Sequence, residues 1–317
     1  MERQTVLQFF PDKLRAPWKI CNVAWEDLTE IRLRVNQPVR MHTNKGERIL
    51  TDIKNASVIY SDKDMEEIFR YLCHDSIYAY EEERRLGFMT VQGGHRIGIT
   101  GEVVWIENSG YMVKYIRYMN IRIAHQITGV SQNIMPYLMQ ESMPCNTLLV
   151  SPPGIGKTTL LRDIIRCYSN DGYNVGVIDE RGEIAGAYRG SATLDCGSRT
   201  DVMTGGDKKT GIRILVRTFS PRVIAMDEIG TELDAEAIFF AGVSGCSILA
   251  TAHGTSLEDI RKKRELEQLV VCKCFERFIF LTCERTMHGY EKEGKRYVQI
   301  FDGEGEEICG KKLLQER

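Results

Sequence analysis

The sequence predicts an α/β chain in which a doubly wound core of parallel strands fills the C-terminal part and a smaller α+β domain precedes it. Three observations carry this expectation. Short apolar runs at Thr147–Val150, Val175–Ile178, Val223–Met226 and Ser247–Thr251 have the length of strands buried on both faces, as a parallel sheet covered by helices requires. The first of them runs straight into the glycine-bearing segment SPPGIGKTT, Ser151 to Thr159, and then into an apolar helical pattern. Before about Pro144 the texture changes to alternating apolar and polar residues, which divides the chain into 1–143, an α+β domain with its linker, and 144–317, the core with its closing strands.

Taken in order, EIRLRVNQPVRMHT from Glu30 alternates and reads as strand with a turn at Gln37-Pro38. Asp62 to Tyr80 has helical periodicity through Met65, Ile68, Phe69 and Leu72, with Ser61 as its cap. LGFMTVQGGHRIGITGEVVWI reads as two strands around Gly93-Gly94, and YMVKYIRYMNIRIA as further strand. His95, Arg96 and Arg122 stand at strand ends or turns that could lean over a ligand bound next door, although plain surface positions explain them better. A short helix is expected within 131–144, a helix from about Ser256, and strands in VVCKCFERFIFLTCE and KRYVQIFDGE.

SPPGIGKTT is a phosphate-binding loop by its chemistry. A polyphosphate needs many donors that approach without side chains in the way, and Gly154 and Gly156 allow the backbone N–H groups to do so, helped by the positive end of the helix that follows. Pro153, Gly154, Ile155, Gly156, Lys157, Thr158 and Thr159 are therefore the candidate nucleotide-binding residues. Lys157 is expected on the β- and γ-phosphates and Thr158 on Mg²⁺. Ser151 stands where the GxxxxGK[ST] pattern has its first glycine.

Hydrolysis needs carboxylates near the γ-phosphate. The run VIAM ends in Asp227-Glu228, so Asp227 is the candidate Mg²⁺ contact and Glu228 the candidate general base. A second acidic strand end, Asp179-Glu180-Arg181-Gly182-Glu183, opens onto the same crevice, and Glu180 or Glu183 is a candidate for placing water or Mg²⁺. Thr251 and His253, at the end of SILATAH, are candidate sensors of the γ-phosphate. Arg199, Arg213 and Arg217 are the options for a catalytic arginine supplied to a neighbouring subunit, with Arg217 chosen; a solvated helix face accounts for the last two as well.

The chain has 317 residues, 43% hydrophobic and 27% charged, with a net charge of −2. That balance gives no electrostatic footprint for a polyanion, so nucleic acid is not expected as a partner. Arg261-Lys262-Lys263-Arg264 lies within LEDIRKKRELEQL, which reads as one amphipathic helix with a mixed surface. The ten cysteines are scattered, Cys272 and Cys274 sharing one face of an expected strand, and without a zinc pattern or a secretory leader they read as reduced thiols in a cytoplasm. Ala237 to Ala252 is uncharged but broken by Gly242, Ser244, Gly245 and Ser247, so a buried helix, a glycine turn and a core strand are expected rather than a membrane span.

EIRLRVNQP, GFMTVQGGHRIGITG, SPPGIGKTTLLRD, VIDERGEIAG, SRTDV, SPRVIAMDEIGT and ATAHG together resemble the stage III sporulation protein AA family, of the type II/type IV secretion ATPase class, over nearly the whole chain. The resemblance implies a RecA-like, Mg²⁺-dependent ATPase of the mother-cell cytoplasm. It further implies a homo-hexamer docked on an integral membrane partner that is similar to a secretion platform protein and serves a channel to the forespore. Asp179 to Glu183 looks like the acidic box of secretion ATPases, and Thr251 to Gly254 like the end of their histidine box. Two departures stand out: Val243 follows Gly242 where that box opens with Gly-His, and Asp227 precedes the glutamate where many relatives have glycine. The alternatives are a nucleotide-switched scaffold that hydrolyses slowly, a nucleic-acid-dependent motor and, last, a small-molecule kinase.

Overall fold

The computed structural model describes residues 3–74, 81, 85, 87–106, 110–188, 190–284 and 294–314. The chain divides into two units, Met1–His125 and Gln126–Arg317. The boundary expected after residue 143 thus falls earlier, because 126–143 joins the second unit: Ile134 and Leu138 are fully buried in that unit's core.

In the first unit, alternation becomes a half-buried antiparallel sheet. Strands β1 (Leu28–Arg34), β2 (Arg40–Thr43), β3 (Gly46–Ile49), β4 (Phe88–Val91), β5 (His95–Ile106) and β6 (Gly110–Arg122) pair in the order β3-β2-β1-β6-β5-β4. Ile31, Leu33, Met41, Met89, Ile97, Met119 and Ile121 face inward. Helices α1 (Arg3–Leu7), α2 (Ala16–Ile20) and α3 (Asp62–Leu72) belong to the same unit. Phe10 stacks on Trp18 at 4.6 Å, and the Trp18 indole donates to the Tyr60 hydroxyl at 3.0 Å. Ser61 caps α3 as expected, in a reciprocal capping box with Asp64, but the helix ends at Leu72, with His74 in the left-handed region at φ 48°. The helical expectation for 75–80 lies outside the described residues.

His95 is a core residue rather than a surface or ligand-facing one. Its ring is 2% exposed, packs edge-on against Phe9 at 5.0 Å, and accepts the Ala124 N–H on Nδ1 at 3.0 Å. Burial, with His125 adding to it, pulls its pKa down to about 4. Arg96 and Arg122 are register partners on the opposite, open face of the sheet, where Arg96 covers the Phe88 ring at 3.7 Å.

The second unit is built on β9 (Thr147–Ser151), after a small hairpin of β7 (Met139–Gln140) and β8 (Met143–Pro144). There follow α4 (Lys157–Asn170), β10 (Val175–Asp179), β11 (Thr200–Thr204), α5 (Lys208–Phe219), β12 (Val223–Met226), α6 (Glu232–Val243), β13 (Ser247–His253), α7 (Leu257–Arg261), α8 (Arg264–Val271), β14 (Arg277–Cys283), β15 (Arg296–Asp302) and β16 (Glu307–Leu313). The strand order is β11-β10-β12-β13-β9-β14-β15-β16, parallel from β11 to β14 and antiparallel for the last two. Successive strand residues point to opposite faces. Leu148 and Val150 join a core with α5, α6 and α8, while Leu149 joins the core with α4 on the other face. Helices therefore cover both faces, which is why the strands read as continuous apolar runs.

Two local expectations are corrected. LEDIRKKRELEQL is two helices, since Lys263 adopts an extended conformation as the N-cap of α8 and turns its ammonium onto the His253 carbonyl. Cys272 and Cys274 are not on a strand: Cys272 is the C-cap of α8, Lys273 is left-handed at φ 51°, and β14 starts only at Arg277. Ala237–Ala252 forms the end of α6, a turn at Gly245 and most of β13, as read. No helix of the described residues is long and apolar enough to cross a membrane.

Candidate nucleotide-binding site

The parallel register brings the C-terminal ends of β9, β10, β12 and β13 to one edge. Ser151 lies opposite His253, Met226 opposite both Ala250 and Ile178, and the polar residues that follow these positions converge there.

At the end of β9 the chain enters its glycine loop. Gly154 has φ +77° and Gly156 φ +109°, conformations in which an L side chain is strained, and a Cβ on Gly154 would meet nothing within 4 Å. The loop is thus an open concavity of backbone above the N-terminus of the fourteen-residue α4. Serine is tolerated at 151 because the left-handed positions are 154 and 156; Ser151 is still strand, and its hydroxyl donates to the Pro152 carbonyl at 2.9 Å. Arg296 braces the loop from β15, its Nε donating to the Ile155 carbonyl at 2.8 Å. Pro153 is exposed and Thr158 and Thr159 are half-buried in the loop and the first turn of α4.

Lys157 is 8% exposed, and its Nζ donates to Nδ1 of His253 at 3.1 Å. Burial holds this ammonium below its ordinary pKa, against the pull of Glu228 and Asp227 and with a push from Lys263. An ammonium can only donate, so Nδ1 accepts and the His253 proton sits on Nε2, which donates to Oε1 of Glu228 at 2.8 Å. Arg181 takes the other oxygen, Nη1 to Oε2 at 2.8 Å. The Glu228 N–H donates to the Thr251 hydroxyl at 2.9 Å, which fixes a backbone held at φ 37°. A left-handed glutamate costs on the order of 1 kcal/mol, a strain that structures concentrate at working sites. Burial raises the Glu228 carboxyl, but Arg181, His253 and Lys157 together bring it below the usual range.

Asp227, its chain neighbour, is 6% exposed. Burial and then the charge of Asp179 push its pKa up to about 6, Lys208 opposing and Glu183 and Glu228 adding to the rise. Asp179 itself is consumed by the backbone, accepting the N–H groups of Glu183, Ile184 and Ala185 at 2.8, 3.1 and 2.8 Å. The acidic box is therefore folded around its own first residue. Glu180 pairs with Lys208 at 2.7 Å, and Lys208, almost fully buried, stands 3.7 Å from Asp234. These groups, with Arg181, Asp227 and Glu228, line a cleft of about 370 Å³.

The structure thus brings together Lys157, Glu180, Asp227, Glu228, Thr251 and His253. Arg199, Arg213 and Arg217 stay apart from them in this chain. All three are at least partly exposed; Arg213 lies 6.0 Å from the Phe240 ring centroid, and Arg217 is in the last turn of α5, the helix whose first residue, Lys208, faces the cleft. Thr251 is fully buried and spends its hydroxyl on the Glu228 backbone, so it fixes the turn at Glu228 instead of facing solvent. Sequence reasoning missed Arg181, Lys208 and Asp234. Arg181 was visible inside the acidic box as an arginine among four charged or glycine neighbours; a buried lysine at a helix start looks like any surface lysine until the fold closes over it.

A magnesium–nucleotide pair fits these residues. Asp227 is a buried carboxylate crowded by Asp179 and Glu183, an arrangement that a cation relieves. Mg²⁺ characteristically takes one or two carboxylates and completes its shell with water and phosphate oxygens, so Thr158 and Asp227 suffice on the protein side. The glycine loop and Lys157 would supply the donors for the anion.

The family described as Sporulation stage III, protein AA, matches residues 1–306. Stage III sporulation protein AA of Bacillus subtilis (strain 168) is 35% identical over 284 residues, 87% of this chain and 90% of its own. Among solved structures, the pilus retraction motor PilT with bound ADP superimposes with a TM-score of 0.60 at 13% identity, covering 89% of this chain and 79% of that one. The ATPase DotB of Yersinia pseudotuberculosis gives a TM-score of 0.61 at 12% identity, with 93% and 80% covered. At such identities the likeness establishes the fold, a RecA-like core with a smaller α+β domain before it.

Proposed function

The chain belongs to the sporulation stage III protein AA family, and on that premise we propose that it is a Mg²⁺-dependent ATP hydrolase. The observation that carries the reading is the continuous chain Lys157–His253–Glu228, with contacts of 3.1 and 2.8 Å, which ties the phosphate-binding lysine to a carboxylate at the next strand end but one. In this reading the backbone of 153–159 and Lys157 hold the β- and γ-phosphates. Thr158 and Asp227 hold Mg²⁺, which when bound neutralises charge on the phosphate oxygens. Glu228 takes the proton from the attacking water, and His253 keeps its carboxylate oriented. Glu180 orders the acidic side of the cleft through Lys208.

The work done with this energy is the assembly or operation of a secretion-like channel between mother cell and forespore. A hexameric ring meeting a membrane platform-like partner would supply the catalytic arginine from a neighbouring subunit, and the exposure of Arg217 supports that division of labour. Steady-state phosphate release tests the core of the proposal. The wild-type protein with ATP and Mg²⁺ should hydrolyse at least about a hundredfold faster than Glu228→Gln, while both bind nucleotide; equal rates would remove Glu228 from its role.

A further inference from the structure

We propose that Arg181 is a latch on Glu228, a positioning residue that keeps the second carboxylate oxygen occupied until a polyphosphate draws the guanidinium away. Such a latch presupposes Glu228 as the base. Both Glu228 oxygens are engaged, Oε1 by the His253 Nε2–H and Oε2 by Arg181, each at 2.8 Å. The two contacts are unequal. His253 is the last residue of β13 and its far nitrogen is tied to the buried Lys157, whereas the Arg181 side chain is 62% exposed.

The anchor beneath Arg181 is firm while its arm is free. Asp179 clamps the turn through three N–H groups of 183–185, and Gly182 makes the bend at φ +68°. A guanidinium can therefore leave Glu228 without rebuilding the loop, into the adjoining cleft that Arg181 itself lines. Phosphate oxygens accept guanidinium contacts in two-point fashion and compete well for it. The other groups facing Glu228 are His253 from β13, Lys157 from α4 and Asp227 beside it in the chain; among them only Arg181 adds a mobile full charge. A carboxylate whose second oxygen is vacated can accept from the attacking water.

The test uses the full chain and two variants, Arg181→Gln and Arg181→Lys, each checked for an unchanged thermal transition. Phosphate release with ATP and Mg²⁺ is measured over a range of ATP concentrations, so that kcat and KM are separated. Release of the latch in Arg181→Gln should raise kcat about two- to fivefold, the range of an exposed ion pair, with KM unchanged. Arg181→Lys should return kcat most of the way to the wild-type value. An unchanged kcat in Arg181→Gln, with Glu228→Gln inactive, overturns the latch alone. A fall in kcat of about tenfold or more also overturns it, making Arg181 a group that stabilises the reacting phosphate. Equal rates for wild type and Glu228→Gln would sink the base assignment and the latch together.

Discussion

Asp227 and Glu228 are consecutive residues held in opposite electrostatic conditions: burial beside Asp179 pushes the first up to about 6, while Arg181, His253 and Lys157 hold the second below the usual carboxylate range. The backbone makes this possible. The left-handed turn at Glu228, φ 37°, lets both side chains line one cleft, where extended neighbours would point to opposite faces of the sheet.

The raised Asp227 carboxyl has a consequence for stability. Its folded pKa lies above the unfolded value, so the penalty is absent below the ordinary aspartate value of 3.8 and is established as pH rises through about 6. Asp227→Asn should therefore stabilise the nucleotide-free protein at pH 8 by roughly 3 kcal/mol, since each pH unit between the folded and unfolded pKa is worth about 1.4 kcal/mol. At pH 4 the gain should vanish. Thermal melts of both proteins across pH check this, and a gain independent of pH would show that the carboxyl is not perturbed. Mg²⁺ with ATP should reverse the order, stabilising wild type more than the variant.

Lys157 carries a similar cost for a different benefit. It is a buried ammonium whose direct contact among the described residues is a neutral imidazole nitrogen. Lys157→Met keeps the apolar stem and removes the charge, so the unliganded protein should gain about 1 kcal/mol. Nucleotide affinity should fall at least about tenfold, since the charge-assisted contact to phosphate goes with it. Calorimetric titration with a non-hydrolysable ATP analogue, beside a melt, separates the two effects.

The parallel core was legible in the sequence because strands buried on both faces leave unbroken apolar runs, and the glycine loop because positive φ at 154 and 156 demands glycine. Ser61, the hairpin at Gly93-Gly94 and the acids at 227–228 were equally plain, each being local chemistry. What was not legible came from tertiary closure. His95 looked polar until the sheet buried it against Phe9; one amphipathic helix became α7 and α8 because Lys263 had a carbonyl to reach; the linker joined the second unit because Asp163 holds it. Asp179 gave the same lesson within the site, since its acid character was visible but not the three amides that consume it.

Thr251 should prove to be a positioning residue. Its buried hydroxyl is the acceptor for the Glu228 N–H, at the turn that follows β12. Thr251→Val preserves shape and leaves that N–H unsatisfied, at a cost of about 1–3 kcal/mol. The proposed base loses its fixed backbone, so kcat should drop by an order of magnitude or more with KM little changed. Thr251→Ser should recover most of the rate. Equal kcat in Val and wild type would show that the turn holds without it.

The segment that enters the second unit hangs on one buried carboxylate. Asp163, 1% exposed on the inner face of α4, accepts from the Gly129 N–H at 2.9 Å, from the Ser131 N–H and hydroxyl at 2.8 and 2.7 Å, and from Arg166 at 2.8 Å. Burial alone would raise its pKa, but these donors outweigh it and hold the carboxyl below the ordinary value. Because the folded pKa is depressed, the stabilisation is present above the unfolded value of about 4 and is lost as pH falls through the folded one. Asp163→Ala strands Arg166 and two backbone amides together, so the unit should lose about 3–4 kcal/mol at pH 7. Asp163→Asn, which keeps one carbonyl acceptor, should lose less. Hydrogen exchange gives the sharper readout: the Gly129 and Ser131 amides should lose protection in both variants, while amides in β9 and β12 keep theirs in Asn. Urea unfolding of wild type and Asp163→Ala should converge as the pH is lowered below about 4, since the protonated wild-type side chain no longer gives what the variant lacks.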